Sequence, residues 1–307
     1  MMRDCLALRS SESVFILADD PMNALGVHFY QEVKKHSART SFLVVPSLAK
    51  NHSEIHASVA GLMKRSHASI LITSRSMAKT RLHRIPLENG VRVVGLPGLT
   101  TESIVRTLSA PCKEMVDKSR KIADIFTIGK TATLTNPNGT RLSFSISRMK
   151  GYADNGLVHE PGGFADLPSG QGSVAPVQGS ANGTLVIDGS FSELGLLAKP
   201  VHITVRDGAA VRISGDQEAR RIQALLRPHG RKSRNVLEIG IGTNPKAKLT
   251  GLIPEDQKVM GIAHVVLGNS LLWNGRNNAR CTFDGVILSP TLVIDRKTVV
   301  ENGVLQV

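Results

Sequence analysis

The sequence predicts an α/β protein in two parts: an N-terminal parallel-sheet, Rossmann-like domain over residues 1–127, then an α+β, strand-rich domain over residues 128–307. Three observations carry that expectation. Apolar runs of strand length recur in the first third with helix-period stretches between them, the pattern changes near residue 128 to short β-like segments, and Gly- and Pro-rich connections dominate residues 151–183. Strand, crossover and strand in repetition indicates a parallel sheet with helices on both faces.

The first strand is read at SVFILAD (13–19), a buried-type apolar run. Residues 22–38 follow with Met22, Leu25, Phe29 and Val33 near the helical period. SFLVV (41–45), ILIT (70–73) and VRVVGL (91–96) repeat the strand pattern, and helix-like stretches lie at about 54–65 and 100–124. In the second part, ATLTN and RLSFSIS flank Pro137-Asn138-Gly139, a hairpin signal. Further strands are expected at 184–189, 201–208, 235–242, 281–288 and 291–295, with a helix at about 216–227.

Composition narrows the function classes. A hydrophobic content of 41% over 307 residues is ample for packed cores. No apolar run approaches the roughly 20 residues needed to cross a bilayer, and the first residues lack a basic segment followed by an apolar one, so the expected location is the cytoplasm, with no membrane partner. The net charge of +13 favours anionic partners. With only 4% aromatic residues and no zinc-finger or RNP-type signature, nucleic acid is not the expected partner. Cys5, Cys112 and Cys281 are too few and too scattered for a disulfide framework or a Cys-only metal site.

The turn after the first strand reads ADDPMNALG (18–26), without a G-x-G-x-x-G loop, so no NAD or FAD site is inferred. Asp20 there is expected to cap a helix, the alternative being that Asp19 and Asp20 face a cleft. There is no G-x-S-x-G elbow, and Ser169 has no sequence-identified His and Asp partners, which argues against a serine hydrolase. Cys281 is read as a strand residue rather than a nucleophile.

Four later segments place ionisable residues beside turn or strand residues: LPSGQGSVAP (167–176), LEIGIGTNPKAK (237–248), GIAHVVLGNSLLWNG (261–275) and NNARCTFDGVI (277–287). They supply Gln171, Glu238, His264, Thr282 and Asp284, a set with the look of an oxygen- and nitrogen-ligand metal site. Thr282 and Asp284 are two apart, so on an extended strand they share a face while Phe283 points the other way. Individually, a lone Glu, His or Asp is more often a cap, a surface charge or a satisfied core residue than a ligand.

In order and wording these segments resemble the blocks of the aminopeptidase T-like metallopeptidases and the related 2,5-dihydroxypyridine 5,6-dioxygenases. Leu167-Pro168-Ser169-Gly170-Gln171 with Ala175-Pro176 is similar to the first block, and Glu238, Gly240, Gly242, Asn244 and Pro245 to a Glu before a glycine loop and Asn-Pro. His264, Leu267 and Gly268 match His-x-x-Leu-Gly, and Thr282-Phe283-Asp284 stands where the family has His-x-Asp.

The resemblance implies an enzyme with one divalent metal, Fe(II), Mn(II) or Zn(II), held by Glu238, His264 and Asp284, with His264 a ligand or acid/base. Gln171 and Thr282 stand where the family places a ligating Glu and His, and Leu271 and Leu272 occupy the stretch of the peptidases' tyrosine. The two-metal peptidase mechanism is therefore not expected. What the resemblance implies instead is hydrolysis of a small amide or peptide, or Fe(II)-dependent ring cleavage of a hydroxylated N-heteroaromatic compound. The alternative is a metal-free descendant with a degenerate metal site that binds a peptide or a biosynthetic intermediate. Arg234 and Lys246, in a basic stretch around the second block, are read either as a solvated face or as a rim for an anionic substrate. The resemblance further implies a homodimer.

Overall fold

A computed structural model describes residues 1–47, 56–77, 80–268 and 281–307. Leu271 and Leu272 lie outside the described residues. In chain order the first elements are β1 (Val14–Asp19), α1 (Asn23–His36), β2 (Thr40–Val45), α2 (Ala57–Met63), β3 (Ala68–Ile72), α3 (Arg81–Glu88), β4 (Arg92–Gly95), α4 (Thr101–Leu108) and α5 (Cys112–Ile128). Next come β5 (Thr131–Thr135), β6 (Arg141–Ser145), β7 (Tyr152–Asp154), β8 (Phe164–Asp166), β9 (Gln171–Val174), β10 (Asn182–Ile187), β11 (Ser190–Phe191), β12 (Gly195–Leu196), β13 (Val201–Arg206) and β14 (Ala209–Ser214). The last are α6 (Gln217–Leu226), β15 (Val236–Gly242), α7 (Ile253–Asp256), β16 (Ala263–Gly268), β17 (Thr282–Ile287), β18 (Thr291–Ile294), β19 (Lys297–Glu301) and β20 (Val304–Leu305).

Two compact units form, one from residues 1–109 and 156–169 and the other from 110–155 and 170–307. The chain thus passes between units at three places rather than at a single point near residue 127. The reason is β8, a late segment that joins β4 in parallel and so returns to the first sheet.

The first unit is a parallel sheet in the order β2-β1-β3-β4-β8. Its strands β1, β3 and β4 are buried at every position, the pattern of strands covered on both faces. A Cβ on Gly26 of α1 would lie 2.8 Å from both Ala18 and the Phe42 ring, so glycine lets this helix sit down on β1 and β2. The helix expected over 100–124 is two helices. Pro111 opens α5, and proline disfavours a helical residue before it. The expected cap at Asp20 is not formed: this residue is exposed in a short 3-10 turn, while buried Asp19 accepts hydrogen bonds from the Ser74 backbone N–H at 3.0 Å and from the Ser74 hydroxyl. Arg92 donates to the backbone carbonyl of Leu6 and, at 2.7 Å, to Glu12.

The second unit contains two antiparallel sheets. One runs β14-β13-β10-β6-β5-β18-β19-β20 and the other β12-β11-β17-β16-β15-β9-β7. Leu134, Leu142 and Ile203 from the first sheet share a core with Ile239, Ile241, Val265 and Phe283 from the second. Ile122 and Phe126 of α5 join the same cluster. A Cβ on Gly172 would lie 2.5 Å from Ile122, so this glycine sets how closely α5 approaches β9. Among the described residues, no helix is long and apolar enough to cross a membrane.

Candidate functional site

The seven-stranded sheet has two chemically distinct faces because side chains alternate along each strand. Ile239, Ile241, Val265 and Phe283 go to the core. The alternate positions carry polar residues, and the register aligns them. Asp154 pairs with Gln171 and Gln171 with Gly242; Ser173 pairs with Gly240 and Gly240 with His264; Glu238 pairs with Val266 and Val266 with Asp284. Paired residues point to one side, so Asp154, Gln171, Ser173, Glu238, His264, Thr282 and Asp284 share a face.

Gly240 and Gly242, which match the family's glycine loop, lie within β15, the strand expected at 235–242. Each clears space on the polar face. A Cβ on Gly240 would sit 2.2 Å from His264 Cε1, so the imidazole lies across β15 where a side chain would otherwise be. A Cβ on Gly242 would sit 2.1 Å from the Val259 carbonyl oxygen, so the segment after α7 passes close over the strand and delivers Lys258.

His264 is fully buried, and among the described residues neither ring nitrogen has a hydrogen-bond partner. Its Nε2 lies 3.7 Å from Glu238 Oε1. Gln171 Nε2 donates to the same Glu238 oxygen at 3.5 Å, while Gln171 Oε1 accepts from Lys258 Nζ at 2.8 Å. Lys258 is also ion-paired to Asp154 at 2.6 Å and is 4% exposed. Asp284 accepts from the Ser192 hydroxyl at 3.3 Å and donates its backbone N–H to the same oxygen at 2.8 Å.

Two carboxyls on this face are driven in opposite directions. Burial pushes Glu238 up, but the imidazole of His264 beside it, helped by the Ser173 hydroxyl and the Lys258 ammonium, outweighs burial and holds the carboxyl below its ordinary value. For Asp284, burial outweighs the opposing effect of His264, the charge on Glu238 adds to it, and the carboxyl rises. Such a divergence separates a group that stays ionised from one able to hold a proton.

The other sequence-predicted residues are placed as follows. Thr282 lies two residues before Asp284 on β17 and is half-buried. Arg234 lines a cavity of about 550 Å³ with Arg227 and Arg231 and donates to the Ala210 carbonyl at 3.4 Å; it is not among the side chains of the polar face. Lys246 is exposed in the turn after β15. Lys258 and Asp154 escaped sequence reading because only the pairing of β7 with β9 and the crossing after α7 bring them to Gln171.

The model of the 2,5-dihydroxypyridine 5,6-dioxygenase (NicX) family matches residues 4–307. The chain belongs to this family. Among solved structures, this NicX-family chain is similar to 2,5-dihydroxypyridine dioxygenase from Pseudomonas putida KT2440, with TM-score 0.82 and 16% identity, covering 97% of this chain and 92% of the other. It is also similar to AmpT from Thermus thermophilus, with TM-score 0.71 and 14% identity, covering 99% and 96% respectively. These likenesses confirm the fold, a parallel sheet followed by strand-rich antiparallel sheets. No curated protein matches the sequence.

The resemblance in the sequence implies a divalent metal, and the donor set bears on that expectation. The bare imidazole of His264 is what an absent ligand would leave behind. Yet among the described residues no group of three or more His, Cys, Asp and Glu side chains is placed to hold a metal. As arranged, Glu238, His264 and Asp284 do not fit a three-ligand ion, and a lysine ammonium already occupies the acceptor of Gln171.

Proposed function

We propose that the chain is an enzyme acting on a small, hydroxylated N-heteroaromatic compound, or on a small amide or peptide, at the polar face of the seven-stranded sheet. The observation that carries this reading is His264, an imidazole buried completely, set with Nε2 3.7 Å from Glu238 by a glycine on the neighbouring strand, and with no hydrogen-bond partner for either nitrogen among the described residues. An unsatisfied buried polar group costs on the order of 1–3 kcal/mol, and a fold that keeps one has a use for it.

In this reading His264 exchanges a proton with a substrate hydroxyl or ring nitrogen, and Glu238, kept ionised, orients the imidazole and stabilises its protonated form. Asp284, with its carboxyl raised, holds a proton that it returns to the substrate. The family name points to the heteroaromatic class and to ring cleavage in which dioxygen would be the oxidant and supply both inserted oxygen atoms, the side chains here moving only protons.

A second form, in which Glu238, His264 and Asp284 would hold one Fe(II), Mn(II) or Zn(II), is supported by the bare His264 nitrogens and not by the present arrangement of the three side chains. The ion would supply Lewis acidity towards a substrate oxygen.

The test is to incubate the purified protein with 2,5-dihydroxypyridine, with and without Fe(II), following absorbance and product mass, and to repeat with His264→Ala. Conversion that is lost in the variant supports the reading. Neither binding nor conversion of this compound or of small amides overturns it. Elemental analysis separates the two forms: about one equivalent of metal per chain, lost in Asp284→Ala, selects the metal-dependent one, and none selects the form in which the protein supplies proton transfers only and any ring cleavage draws its oxidant and both oxygen atoms from dioxygen.

A further inference from the structure

The side chains that support His264 form one connected series: Asp154 to Lys258 at 2.6 Å, Lys258 to Gln171 at 2.8 Å, Gln171 to Glu238 at 3.5 Å, and Glu238 to His264 at 3.7 Å. The chemistry of the end members fixes the middle one. An ammonium has three donors and no acceptor, and an ionised carboxylate accepts only. Gln171 stands between them and has one orientation that satisfies both, its carbonyl towards Lys258 and its NH₂ towards Glu238. A carboxylate at this position would face Glu238 with like charge, and an apolar side chain would leave both neighbours without a partner.

Lys258 is held as firmly as its task requires. Its backbone N–H donates to Glu255 O at 2.9 Å, and its carbonyl accepts from Asn244 N–H at 2.8 Å. The bare Cα of Gly242 lets that carbonyl come over β15, and the Lys258 side chain is buried. An ammonium buried in this way costs several kcal/mol unless paired, and Asp154 supplies the pair.

We propose that Lys258 is a positioning residue, which through the direction-locked amide of Gln171 holds the Glu238 carboxylate in place against the His264 ring. It touches no substrate. Its role is to fix which Glu238 oxygen faces His264, and so which ring nitrogen of His264 carries the proton. The proposal rests on His264 being the reacting group.

The experiment is NMR of the ¹⁵N-labelled histidine ring at one fixed pH, without substrate, which reads the tautomer of His264 directly. Three proteins are compared with wild type: Gln171→Met, Lys258→Met, and the two together. Gln171→Met leaves the Lys258–Asp154 pair intact and so keeps the fold available should Lys258→Met fail to fold. In that case Lys258→Met with Asp154→Leu, which removes the whole pair, takes its place.

The expected result is a change of roughly threefold in the His264 tautomer ratio in either single variant, with no further change when they are combined, as for residues acting in series. Unchanged His264 resonances in Gln171→Met overturn the proposal, as does a combined effect equal to the product of the two single ones. Because no substrate enters, a negative result here leaves the conversion test standing, and a failed conversion test leaves the resonances to be read.

Discussion

Glu238 Oε1 stands 3.7 Å from His264 Nε2 on neighbouring strands, and the space that allows it belongs to a third residue, Gly240, whose absent side chain the imidazole occupies. Adding one methyl group at position 240 places a carbon 2.2 Å from Cε1 and 2.6 Å from Nε2, distances at which something must move. Both strands are hydrogen-bonded on each side, so the ring yields before the backbone does. Gly240→Ala is expected to cost about 1–3 kcal/mol in urea unfolding, the usual range for overpacking, and to shift the His264 ring resonances. A stable variant with unaltered resonances would show that the glycine is not what seats the imidazole.

Asp284 gives a pH signature of its own. Its carboxyl is raised by burial, so between the unfolded value near 3.9 and the higher folded value the native state holds more protons than the unfolded one. Stability contributed by this group is therefore present at low pH and declines as pH rises through that window. Asp284→Asn removes the burden, and its unfolding free energy relative to wild type is expected to improve from about pH 4 upwards. Denaturant curves at pH 3.5 and pH 7 check this, and a variant less stable than wild type at pH 7 only would reverse the assignment.

Glu12 shows the opposite sign in the first unit. Burial pushes its carboxyl up, but the backbone N–H of Arg9 and the guanidinium of Arg92, 2.7 Å away, outweigh that and hold it down. Its contribution is present above the unfolded value of about 4.3 and is lost as pH falls through the lower folded value. Arg92→Met leaves Glu12 partly buried with only the Arg9 backbone N–H as partner, at a cost of about 3 kcal/mol at neutral pH, the lower end for a broken buried pair. The gap from wild type should narrow in acid, as scanning calorimetry at pH 7 and pH 3.5 would show.

What the sequence made legible follows from how local each signal is. The five parallel-sheet segments include four read directly from apolar runs; β1, β3 and β4 announce themselves because they are buried on both faces, and the edge strand β2 by its Phe42-Leu43-Val44-Val45 run. The fifth, β8, has three residues and lies amid glycine and proline, and only tertiary pairing with β4 defines it. Likewise β9 was read as a glycine-rich connection, since Gln171, Gly172 and Ser173 have little strand propensity. Glu238, His264 and Asp284 were found because each sits in a recognisable block, and the register brings them to one face. Lys258 was not, because its meaning arises from a backbone crossing over Gly242 that no local pattern encodes.

The two positions that depart from the family's ligands supply the last prediction. Thr282 shares the face of β17 with Asp284, so Thr282→His would place an imidazole two residues from that carboxylate on the same side. Gln171→Glu would add a second carboxylate at the position whose amide nitrogen now lies 3.5 Å from Glu238. Without an ion, that carboxylate is repelled by Glu238 and only partly compensated by Lys258, so the double variant should melt below wild type. With Mn(II) or Zn(II) the same charges become attractive, and imidazole and carboxylate are better ligands for such ions than hydroxyl and amide. At a hundredfold excess over the dissociation constant, binding stabilises by about 2.7 kcal/mol, a rise of roughly 5–10 °C in melting temperature. Thermal melts with and without metal, run beside wild type, read the difference. A double variant that gains no metal-dependent stability would mean that Gln171 and Thr282 do not face a common centre with Glu238, His264 and Asp284.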